Sequence, residues 1–60
     1  MTLMEMMVRY RAKHDLTQKE LADECKVSVV TVNAVERGLQ TPSALTEAKI
    51  RLVVEEKEEE

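Results

Sequence analysis

At 60 residues the chain is one domain, close to the lower limit at which a core holds without disulfides or metal. One cysteine excludes an internal disulfide, and no apolar run suffices for a signal peptide or membrane span, so a cytoplasmic location and no membrane partner are expected. The net charge of −3 is unevenly placed: EEKEEE at 55–60 carries −4, leaving +1 on residues 1–54, so attraction to any polyanion must come from local placement of the bases.

Residues 3–14 read as a first helix, with Leu3, Met7, Tyr10 and His14 on one stripe at i, i+4, i+7 and i+11 and Met6 beside it. This spacing is read as core packing, with Tyr10 and His14 at the core's edge. With Trp and Phe absent, Met, Leu and Val must fill the interior, a composition poor for stacking a ligand; no cofactor or small-molecule ligand is expected. A lone His14 with Cys25 in another helix falls far short of a zinc set, so no metal is expected.

Leu16 closes the first corner. Thr17 followed three residues on by Glu20 forms a capping-box signature, and Leu21, Ala22 and Cys25 then supply one buried face. Lys26 and Val27 break the periodicity, Ser28 caps a further helix whose inward positions are Val32 and Val35, and Gly38 ends it. Two helices of roughly eight to ten residues around a corner of about three to four have the geometry of a helix-turn-helix.

The stretches TQKELA (17–22), VS (27–28), TVNAVERG (31–38) and TPS (41–43) together resemble the Cro/CI-type, or XRE, helix-turn-helix family over roughly residues 7–54. The resemblance implies an all-α, compact four-helix domain of the lambda-repressor-like type over residues 1–54, with a charged tail at 55–60. Two departures stand out: the family usually has glycine where Lys26 is found, and often where Asp15 is found. The resemblance also implies an ion pair of Arg11 with Glu36, clamping the first helix onto the third through a bidentate guanidinium–carboxylate contact.

Double-stranded DNA is the partner so implied. Family positions that touch base edges correspond to Val29, Val30, Asn33 and Ala34. Of these only Asn33 has the bidentate pattern suited to adenine, and the other three can meet only the thymine methyl, so A·T pairs are expected in the half-site. Phosphate contacts are expected from Thr17, Gln18, Ser28, Thr31, Arg37, Gln40 and Thr41.

After Gly38 two caps compete for the last helix: Thr41 with Pro42 at the first helical position, or Thr46 with a Leu45–Ile50 staple. Either way residues 47 to about 57 should be helical, although the β-branched Ile50, Val53 and Val54 also permit a strand pairing across a dimer. Leu45, Ala48 and Leu52 make one stripe and Ile50, Val53 and Val54 another; the core needs one, and the second set is the expected dimer face. The family ordinarily has a fifth helix where this chain has EEKEEE, an acidic segment that must point away from phosphates.

The expected function is sequence-specific transcriptional regulation, with repression by promoter occlusion as the default and a homodimer on a pseudo-palindrome as the form. The alternative is a protein-interaction adaptor or antitoxin-like module, which the apolar Val29 and Val30 would suit. No residue has the base and oxyanion donors of a catalytic site, so no enzyme is expected.

Overall fold

The computed structural model describes residues 1–55. It contains four helices, α1 (Leu3–His14), α2 (Gln18–Cys25), α3 (Val29–Glu36) and α4 (Ala44–Val54), and no strand among the described residues. Helices this short are marginal alone, so their ends carry much of the local specification. Each begins at a Ser or Thr cap: Thr2, Thr17, Ser28 and Ser43. Thr2 with Glu5, and Thr17 with Glu20, form complete capping boxes.

The carboxyl ends of α1, α2 and α3 share one solution. Asp15, Lys26 and Gly38 take left-handed conformations at φ 57°, 60° and 73°. The next residue in each case, Leu16, Val27 or Leu39, donates its amide back to Arg11, Ala22 or Ala34 at 2.9, 3.0 and 2.9 Å. These are Schellman ends, which satisfy carbonyls the helix leaves open. Only one of the three left-handed positions is glycine. Asp15 and Lys26 therefore carry backbone strain that their hydrogen bonds offset.

The helices meet in a core of Met7, Leu21, Ala22, Cys25, Val32, Val35, Ile50 and Val54, edged by Leu3, Met6, Tyr10, Val27 and Val53. α2 and α3 pack most closely on one another, α1 lies against α3, α4 against α2, and α1 and α4 against each other. Of the α1 stripe, Met7 is fully buried and Leu3 and Tyr10 half-buried, while His14 lies exposed with its ring 4.3 Å from that of Tyr10. His14 is thus outside the core edge where it was expected, because the chain turns away at Asp15 before another helix can cover it.

Two expectations for the last helix need correction. Neither Thr41 nor Thr46 caps it; Ser43 does, its Oγ accepting from the Thr46 amide at 3.2 Å, so the helix starts at Ala44 rather than 47. Its end is at Val54, and the part of the expected helix beyond Glu55 lies outside the described residues, as does the rest of the acidic tail. The proposed dimer face is the core face: Ile50 is 0% and Val54 6% exposed, and Val53 packs beside them. Leu45 and Leu52, at 68% and 86%, turn to solvent instead. A helix among three others can bury only one stripe, and the β-branched set is the one that meets Met7 and Leu21 in the same cluster.

Replacing Lys26→Gly should raise stability by about 1 kcal/mol by relieving the left-handed strain. For a domain this small that is a melting-temperature gain of about 4–8 °C in a thermal scan; no gain would mean that lysine sits there without strain. Ile50→Ala should cost about 2–5 kcal/mol, comparable to the whole stability of such a domain, and leave the chain largely unfolded at 25 °C by circular dichroism.

Candidate nucleic-acid interface

The sharp corner at Lys26–Ser28 turns α3 across α2. Its Val32 and Val35 point into the core, which forces the opposite side of this eight-residue helix outward. Val30 is 72% exposed and Val29 40%, Ser28 and Arg37 are exposed, and Thr31, Asn33 and Ala34 are half-buried. The outer face is apolar at its amino end, amide in the middle and cationic just past its carboxyl end.

Behind that face lies a polar cluster that joins three helices. The Glu36 carboxylate, 6% exposed, accepts from Arg11 Nε at 2.9 Å and Nη2 at 2.8 Å. It accepts again from Gln18 Nε2 at 2.9 Å. Arg11 also donates through Nη1 to the Leu16 carbonyl at 3.2 Å, tying the end of α1 to the corner before α2. Gln18 in turn accepts from Asn33 Nδ2 at 3.1 Å. The hydrogen bond to Glu36 holds the Arg11 guanidinium pKa above its ordinary value, partly countered by desolvation.

The contacts of Gln18 with both Asn33 and Glu36 seat the amino end of α2 against the carboxyl half of α3. Gln18, expected at phosphates, therefore lies beside α3, with Thr17 preceding it as the cap of α2. Arg37 is exposed, its backbone amide donating to the Asn33 carbonyl at 3.0 Å. Thr17 spends its oxygen and its amide on the Glu20 capping box, and Ser28 its oxygen on Thr31, leaving those hydroxyls partly engaged. Gln40 and Thr41 are exposed in the loop after α3. Ile50, Val53 and Val54 belong to the core, away from this face.

Sequence reasoning missed the Gln18–Glu36 and Gln18–Asn33 contacts, and also the Tyr10 hydroxyl donating to Glu24 at 3.1 Å. A partial signal for the first was present: a nearly buried carboxylate has more acceptor capacity than one arginine fills, though nothing in the sequence named Gln18 as the second donor. Burial, and then the Glu24 carboxylate, push the Cys25 thiol from 9.0 up to about 11, so at neutral pH it is a protonated core group.

The helix-turn-helix family model HTH_3 matches residues 8–50, most of the chain and all of the corner and outward face just described. The chain belongs to this family. It is an XRE, or Cro/CI-type, helix-turn-helix protein, a DNA-binding regulator. No curated protein and no solved structure matches at a significant level. No helix among the described residues is long and apolar enough to cross a membrane. In this XRE protein the match begins within α1 and ends within α4.

Arg11→Met should lower the melting temperature clearly, since it leaves a 6% exposed carboxylate with a single donor. Arg51→Ala, which breaks the surface ladder Glu47–Arg51–Glu55, should leave it almost unchanged. Equal losses in parallel melts would deny the Arg11–Glu36 pair its clamping role. The native Cys25 thiol should resist a disulfide-exchange reagent at pH 8 and react only at the rate of unfolding.

Proposed function

We propose that this XRE protein is a sequence-specific repressor that lays α3 in the major groove and binds as a homodimer to a pseudo-palindromic site rich in A·T. The observation that carries the reading is the outer face of α3, where exposed Val29 and Val30 flank a held Asn33 amide. Valine and Ala34 side chains suit thymine methyls, and Asn33 suits the N6 and N7 edge of adenine. Arg37, Gln40 and Thr41 past the helix end, and Thr17, Gln18, Ser28 and Thr31 at the helix starts, are the groups assigned to phosphates. With residues 1–54 near neutral, affinity per monomer is weak, and pairing of two reading helices about 34 Å apart supplies the rest. The exposed Leu45, Ala48 and Leu52 stripe of α4 replaces Ile50, Val53 and Val54 as the dimer face, its small central Ala48 allowing close approach. The acidic 55–60 tail discourages binding to arbitrary DNA.

A second reading, a protein-interaction adaptor, is favoured by the exposed apolar groups Met1, ahead of α1, and Met4 and Val8 on it, together with Val30 on α3. Selection from a random duplex pool separates the two. Enrichment of a symmetric A·T-containing motif supports the regulator, and no retention even at low salt supports the adaptor. Arg37→Ala should weaken all binding and reduce the salt slope by about one, whereas Asn33→Ala should chiefly relax sequence preference; uniform loss from both would contradict the assignment. Leu52→Glu should shift the protein to monomer in sedimentation and leave the fold intact.

A further inference from the structure

A chain of side chains runs from the interior to the reading face: Arg11 and Gln18 donate to Glu36, and Asn33 donates to Gln18. Its direction is set by charge. An ionised carboxylate only accepts, so Gln18 must turn its NH2 toward Glu36. That leaves the Gln18 oxygen toward α3, and an oxygen there demands a donor, so Asn33 must turn its NH2 toward Gln18. The carboxylate charge thereby decides, two residues away, which way round the asparagine amide stands.

The Asn33 amide is left with one N–H and its Oδ1, and its side chain makes no other hydrogen bond among the described residues. One donor beside one acceptor is the complement of adenine N7 and N6. It is a poor complement to guanine, whose N7 and O6 both accept, and the held Oδ1 would face O6 without a proton between them. An amide free to turn over could instead offer its NH2 to guanine. We propose that Gln18 is a positioning residue for specificity: under the charge of Glu36 it locks the polarity of the Asn33 amide and so makes α3 discriminate adenine from guanine. This rests on the reading above that Asn33 meets a base edge, and it assigns Gln18 a role distinct from contact with a phosphate.

Gln18→Met keeps the length and stem of the side chain and removes the amide. On the selected site and on a variant with guanine at the Asn33-read position, it should reduce the adenine preference by about tenfold, the scale of one bidentate base contact. Asn33→Ala should reduce it equally, and the double variant no further. If Asn33→Ala lowers the preference while Gln18→Met weakens both sites alike, the relay is overturned and Gln18 is a phosphate contact only. If Asn33→Ala changes no preference, the base reading itself has failed. The relay then stands or falls on the DNA-free protein: by NMR, one Asn33 Nδ2 proton should be shifted and slow to exchange in the wild type and should lose both properties in Gln18→Met. Two averaged, fast-exchanging protons in the wild type would overturn it without any variant.

Discussion

The Glu36 carboxylate is the contact on which the arrangement of this domain depends. It sits near the end of α3 with almost no access to water, a costly place for a charge unless donors surround it. The fork of Arg11 reaches it from α1 and the amide of Gln18 from the start of α2, so one acidic group joins three helices. Apolar packing alone resists sliding weakly, since one valine in a groove resembles another. A bidentate ion pair has a defined distance and plane, and thereby sets the angle at which α3 leaves the body.

Around that contact the core is small and without aromatic rings, built from eight buried residues. Stability of such a domain cannot rest on buried area alone. The ends of the helices compensate: a hydroxyl cap at every start, and Schellman closures at three ends. Lysine and aspartate at two left-handed positions show that local strain is tolerated where the returning hydrogen bonds and the following Leu16 or Val27 hold the corner shut. These corners orient α2 and α3, so the same few residues that close the turns also decide which side of α3 faces outward.

A DNA-binding protein with an overall charge of −3 separates recognition from attraction. The outward face of α3 is mostly apolar and amide, with Arg37 just past its end, and the negative charge is concentrated in the 55–60 segment. In the proposed reading, such a surface would gain little from the polyelectrolyte effect and would depend on fit against base edges. Specificity would then rest on how firmly each side chain is held, which gives the polar cluster behind α3 as much weight in that reading as the face itself.

Much of the fold was legible in the order of residues. Capping signatures at Thr17 and Ser28, the inward spacing of Leu21, Ala22, Cys25, Val32 and Val35, and the Gly38 stop are local patterns, and local hydrogen bonding decides them. The family resemblance added the Arg11 partner of Glu36, a contact across 25 positions that no local pattern contains. What only tertiary structure decided was which of two apolar stripes on α4 the other helices cover, and which of several hydroxyls caps it. Both stripes have helical spacing and both are hydrophobic, so the choice lies in the shape of the space left by Met7, Leu21 and Val32. The amide chain through Gln18 was likewise hidden, because it exists only where the amino end of α2 and the carboxyl half of α3 are brought within hydrogen-bonding distance by the packing of everything else.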